Sequence, residues 1–175
     1  GGKSGFRPDY AVYVYTQILK KLFPETLVII GGLESSLRRI SHYDYWQNKI
    51  KPSILFDTNA DLLVYGMGEK PLKEIIRLIK KGVPIKNMNS IPQTAYLTPK
   101  ENVPKNKLWE DLQLSDFEEC EKDKQIQFKN FRLFEIETNK MHSKRIIQNV
   151  QDKSVVVNPP YPPMAYGELD ESFEY

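Results

Sequence analysis

The chain has 175 residues, 40% of them hydrophobic and 27% charged, and its 25 basic and 23 acidic residues leave a formal net charge of +2. This is the make-up of one ordinary soluble domain with a modest core, not of a disordered chain. Apolar runs such as Leu27 to Ile30 are far too short to span a bilayer and no basic-then-apolar signal opens the chain, so a cytoplasmic location is expected.

The charges are spread rather than blocked. Leu37-Arg38-Arg39, Lys80-Lys81 and Lys144-Arg145 are short basic clusters of the kind a solvated helix face carries, and nucleic-acid binding gets no support from them. The single cysteine, Cys120, lies in the charged stretch 116–124, so neither a disulfide nor a thiolate-bound cluster can be built from this chain alone.

In chain order, Gly1-Gly2-Lys3-Ser4-Gly5 reads as a loop or as the cut edge of a longer protein. After Asp9, apolar residues at Ala11, Val12, Tyr15, Ile18, Leu19 and Leu22 have helical spacing, and Pro24 stops the helix. Thr26–Ile30 is β-branched and apolar on both faces and ends in Gly31-Gly32, as a strand buried in a parallel sheet would. The grammar repeats: strand 60–65, a Gly66-Met67-Gly68 turn, then a helix opened by Glu69-Lys70-Pro71 and carrying Leu72, Ile75, Ile76 and Ile79 to Gly82. Thr94–Leu97 is a further candidate strand. From Ser115 to about Asn139 the chain is charged and helical, with Phe117, Phe128, Phe131, Leu133 and Phe134 as its apolar stripe. Segments 145–150 and 154–158 flank Gln151-Asp152-Lys153 as a hairpin with a three-residue loop. Pro159-Pro160-Tyr161-Pro162-Pro163 must be extended.

The expected fold is α/β: an open, mostly parallel sheet flanked by helices, a truncated Rossmann-like arrangement, with a C-terminal helix and β-hairpin added on. The expected organisation is an α/β domain over 1–112, the helical stretch and hairpin over 113–158, and a proline-rich linker over 159–175.

Ligands of open α/β sheets lie outside the carboxyl ends of the strands, which puts the candidate site at Gly31, Gly32, Gly66, Gly68 and Glu69. The segment leaving the first strand adds Glu34, Arg38, Arg39, His42, Tyr43, Asp44 and Trp46: carboxylates, guanidinium groups, an imidazole and aromatic rings suited to a polar ligand with a flat or anionic part. Equally open is a packing role, with the aromatic residues covering the sheet and the arginines in water. His42 and Asp44, one residue apart, point away from each other on a helix, and no second nearby histidine completes a metal site. There is no Gly-x-Ser-x-Gly elbow, and the glycine turns lack the third glycine of a dinucleotide fingerprint and the Lys-Ser pair of a P-loop. No catalytic residue is identified.

The run Val28 to Arg39, followed by His42-Tyr43-Asp44-Tyr45-Trp46, closely resembles the YgiQ family of radical SAM proteins. The resemblance extends back to Gly1–Asp9 and forward through 53–57, 60–69 and Asn158–Pro163, covering nearly the whole chain. More distantly, it is similar to the second half of the cobalamin-binding-type domain that precedes many radical SAM barrels. The resemblance implies that an earlier segment supplies the first strands. It also implies that a radical SAM domain with a Cys-x3-Cys-x2-Cys motif follows the proline-rich stretch and Glu168-Leu169-Asp170. The [4Fe–4S] cluster and S-adenosylmethionine (SAM) would belong to that longer parent, this segment holding no cofactor and being inert alone. His42 is not where a cobalt-ligating histidine would stand. The expectation is a non-catalytic accessory domain whose partners are its own radical SAM domain and an unidentified small-molecule substrate. The alternative is an independent module that binds a nucleotide or corrinoid at the strand ends.

Overall fold

The computed structural model describes residue 5 and residues 8–163 and 166–173. The opening Gly1–Ser4 segment, Phe6, Arg7 and residues 164–165 and 174–175 lie outside them. The elements in order are α1 (Ala11–Leu22), β1 (Ile29–Ile30), α2 (Gly32–Leu37), β2 (His42–Asp44), β3 (Lys49–Lys51), α3 (Ile54–Thr58) and β4 (Leu62–Val64). They continue with α4 (Glu69–Lys80), β5 (Thr94–Pro99), β6 (Asp111–Gln113), α5 (Phe117–Lys122), α6 (Lys124–Thr138), β7 (Arg145–Val150), β8 (Lys153–Val157) and α7 (Tyr166–Phe173).

Six strands form one sheet in the order β1-β4-β5-β8-β7-β6, while β2 and β3 form a separate antiparallel hairpin. The outer pairs β1–β4 and β6–β7 are parallel, and the pairs between them antiparallel. The architecture is the expected α/β one, an open sheet flanked by helices. Alternation along the strands divides two cores. Val155 and Val157 face one side with Leu55, Phe134 and Val12, and Val156 and Tyr96 face the other with Ile75 and Leu78 of α4.

Several local readings change. Gly31-Gly32 is not a bare turn, since Gly31 is the N-cap of α2 and Gly32 its first residue, so Glu34 to Leu37 are helical. His42 and Asp44 lie on strand β2, where residues i and i+2 share a face; the expectation that they point apart fails because it assumed a helix. The charged stretch from Ser115 is two helices broken at Asp123, whose extended backbone ends α5 and whose carboxylate caps α6 by accepting from the Gln125 amide. In its stripe Phe134 is buried, but Phe128, Phe131 and Leu133 are exposed. The hairpin turn is shorter by one residue than expected, because Val150 already pairs with Lys153 and Gln151 takes a positive φ of 55°. Nor does the hairpin stand aside from the sheet: β8 pairs with β5 along its length and forms the sheet's middle.

The helices α1 and α4 enter the two cores through Val12 and Ile75 and leave other apolar residues exposed, Leu19 and Leu22 on α1 and Ile76 and Ile79 on α4. Among the described residues no helix is long and apolar enough to cross a membrane.

Candidate functional site

Because β5 is antiparallel to both β4 and β8, the carboxyl ends of β1, β4 and β8 share one edge of the sheet. The chain therefore leaves β8 beside the two glycine segments. They meet through Ser36, whose hydroxyl donates to the Gly32 carbonyl (2.7 Å) and accepts from the Gly66 amide (3.3 Å). A Cβ on Gly31 would come within 3.2 Å of the Val64 carbonyl, and one on Gly66, at φ +66°, within 3.2 Å of Gln93 Nε2. The close approach these glycines permit is thus taken up by the protein's own backbone and side chains rather than left for a phosphate. Gly68 is the N-cap of α4, and exposed Glu69 puts an acid in its first turn, complementing the helix dipole.

The exit segment is fastened to this edge by residues that sequence reasoning missed. Gln93, at φ +64°, donates from its side-chain amide to the carbonyls of Tyr65 (2.8 Å) and Met67 (2.5 Å). Its backbone amide donates to the Pro159 carbonyl (2.7 Å), and its Oε1 accepts from the Tyr161 amide (3.4 Å). Asn158 Nδ2 donates to the carbonyls of Asn89 (3.1 Å) and Ile91 (2.8 Å), while the Tyr65 hydroxyl donates to the Asn158 carbonyl (2.5 Å). Burial pushes the Tyr65 phenol far up, so it remains a donor at any physiological pH. Between strap and glycine turn lies a cleft of about 490 Å³ lined by Met67, Lys70, Tyr161 and Pro163 among others. The one sequence signal was Asn158 before a proline, a position biased to extended backbone.

The other predicted residues fall in separate places. Glu34 accepts from the Val12 amide (3.1 Å) in the first turn of α1, which has no side-chain cap of its own, and pairs with Arg38 (2.9 Å). The Arg38 guanidinium also stands 5.3 Å over the Tyr10 ring. The Tyr10 hydroxyl donates to buried Asp44 (3.1 Å). Burial pushes the Asp44 carboxyl up but is outweighed by the Gln47 amide, the Tyr10 hydroxyl and the charges of Lys51 and Arg38, which hold it below its ordinary value. These contacts join α1 to α2 and to the β2–β3 hairpin.

Arg39 is half-buried, its guanidinium 4.5 Å from both the Tyr65 and Phe134 ring centres. His42 and Tyr43 border a groove against α6. Burial lowers the His42 pKa, and its Nδ1 sits 3.3 Å from the Ile40 carbonyl, so the ring is neutral near pH 7. Trp46 is exposed at the hairpin tip, edge-on to Tyr45 at 5.7 Å. The residues predicted as one loop site are thus divided among the sheet edge, the α1 contact, the groove and the hairpin tip.

Beneath them runs a buried polar network. The Ser41 amide donates to Gln148 Oε1 (2.8 Å), the Ser41 hydroxyl donates to Gln127 Oε1 (2.8 Å) and accepts from Gln148 Nε2 (2.7 Å), and Gln127 returns a bond to the Ser41 carbonyl (3.1 Å). Cys120, fully buried, receives Asn130 Nδ2 at 3.0 Å, and burial pushes its thiol pKa up. A lone protonated thiol does not fit a thiolate-ligated iron–sulfur cluster, and among the described residues no group of three His, Cys, Asp or Glu could hold a metal ion.

The fold and site define an α/β domain whose strand ends and exit segment form one built edge. The profile of the radical SAM N-terminal family matches residues 1–175, and the chain belongs to that family. It is 51% identical over 172 residues to a UPF0313 protein of Porphyromonas gingivalis, covering 98% of this chain and 27% of the relative. Similar UPF0313 proteins occur in Bacteroides thetaiotaomicron, 49% identical over 99% of this chain and 29% of the relative, and in Geobacter sulfurreducens, 38% identical over 99% and 28%. The chain therefore spans under a third of the length of these curated relatives. No solved structure matches it.

Proposed function

We propose that this chain is the accessory domain of a longer radical SAM protein, non-catalytic by itself, and that the carboxyl-end edge of β1, β4 and β8 faces the active site to cover it or to position substrate. The observation that carries this reading is the strap: the segment leading out of β8 is bonded through Gln93, Asn158 and Tyr65 to the same edge that holds Gly31, Gly66 and Arg39. A rigid exit there orients whatever follows relative to that edge. The exposed apolar residues on α1 and α4 also suit a domain embedded in a larger protein. The [4Fe–4S] cluster and SAM would then be held by residues outside this chain, in a cytoplasmic protein. Glu34, Arg38, Asp44 and Trp46 would serve the domain's own cohesion or the interface rather than bond-making.

The independent nucleotide- or corrinoid-binding reading is the weaker one, since protein atoms already fill the space beside Gly31 and Gly66. The test is anaerobic reconstitution of the full-length protein and assay of SAM cleavage to 5′-deoxyadenosine, with and without residues 1–175. Cleavage that depends on the segment is the expected result, and undiminished cleavage and turnover in its absence would refute the reading.

A further inference from the structure

An open groove of about 610 Å³ separates the α2–β2 connection from α6, away from the strap. Its volume is in the range of small-molecule pockets, roughly 300–1,000 Å³. Leu37, Tyr43, Phe128 and Phe131 form its walls, and each is more than half exposed, an unusual outlay of aromatic and apolar surface in one place.

Arg39 also lines the groove and carries a positive charge that no carboxylate among the described residues pairs with. Its Nη1 donates to the Ser36 carbonyl and its Nε is buried without a partner, so the donor left to a ligand is Nη2. The Tyr65 and Phe134 ring centres each lie 4.5 Å from the guanidinium carbon. A fixed guanidinium with a free N–H donor and no carboxylate partner suits an incoming carboxylate. Lys124 adds a second cation to the lining, and Glu135 on the α6 wall acts on Arg39 only through space. Neutral His42 completes the lining: with Nδ1–H given to the Ile40 carbonyl, its Nε2 is left as an acceptor.

We infer that this groove is a binding site for a small aromatic carboxylic acid, the carboxylate held by the Nη2 end of Arg39 and the ring stacked among Tyr43, Phe128 and Phe131. The inference does not depend on what the domain does for a parent protein.

It can be tested with 2-naphthoate and its uncharged isostere 2-naphthamide, titrated into the isotopically labelled 175-residue chain and followed by amide chemical shifts. The acid should saturate with a Kd of roughly 0.1–1 mM, as its size allows, with the largest shifts at Ser41, His42 and Phe131. The amide should bind at least tenfold more weakly. Arg39→Lys, which keeps the charge but loses the ring-held guanidinium donor, should weaken the acid by a similar factor. Because Arg39 is packed between rings, Phe131→Glu at a half-exposed position supplies an independent variant that keeps the core intact and should abolish acid binding. Equal affinity for acid and amide, absence of saturation across the millimolar range, or shifts centred on Gly66 and Tyr161 would each overturn the proposal.

Discussion

Replacing Gln93 removes the fastening of the strap, and the structure sets the size of the effect. Gln93→Ala deletes two donated hydrogen bonds whose acceptors, the Tyr65 and Met67 carbonyls, lie at the sheet edge, together with the one Gln93 Oε1 accepts. A hydrogen bond contributes about 1 kcal/mol net, and a buried acceptor stripped of its donor costs more, so the loss should be about 2–3 kcal/mol. For a domain of this size that is roughly 4–12 °C in Tm. Gln93 also sits at φ +64°, a left-handed conformation costing a residue with a Cβ about 1 kcal/mol. Gln93→Gly loses the same bonds but is relieved of that cost, partly offset by the greater backbone freedom of glycine when unfolded. It should therefore be less damaging than Gln93→Ala by roughly 0.5 kcal/mol. Urea denaturation of the three proteins, with the slope compared as well as the midpoint, measures both numbers. An alanine variant within 0.5 kcal/mol of the parent, or a glycine variant clearly worse than alanine, would refute the reasoning.

Asp111→Ala should cost about 3 kcal/mol, because it leaves the fully buried Arg145 guanidinium without its bidentate partner (2.7 and 2.8 Å), whereas the double change with Arg145→Met should recover much of the loss in a double-mutant cycle. Gly66→Ala combines a φ of +66° with a Cβ 3.2 Å from Gln93 Nε2 and should destabilise by about 1–2 kcal/mol, read from the thermal midpoint. For pH, burial holds the His42 pKa below its unfolded value of about 6.5, so the unfolded chain binds the extra proton; stability is complete above that value and falls as pH drops through the folded pKa. The lowered Asp44 carboxyl contributes in the same direction but only below about pH 4, so denaturation midpoints should decline in two separate windows, and His42→Gln should erase the upper one.

The local parts of this protein are legible because local rules make them. The 3.6-residue spacing of Ala11 to Leu22 and the Glu-Lys-Pro opening before Leu72, Ile75, Ile76 and Ile79 give α1 and α4. The β-branched runs at 145–150 and 154–157 give β7 and β8, and the strand-glycine-helix alternation gives the α/β class. The expectation of the N-terminal region of a radical SAM protein came from motif resemblance, and the family match bears out that much.

What only the tertiary structure decided are the pairings between residues far apart in the chain. That β8 joins β5 and becomes the middle of the sheet depends on which apolar faces are left to bury, which no window along the sequence contains. For the same reason Glu34 caps α1, Ser41 is tied to Gln148, and Gln93 holds the strap, across separations of 22, 107 and 66 or more residues. Residues 34–46 looked like one site because they are adjacent in sequence. A short helix and a hairpin then turned their side chains toward four different neighbourhoods, and Arg39 came to lie against Tyr65 and Phe134, residues 26 and 95 positions away.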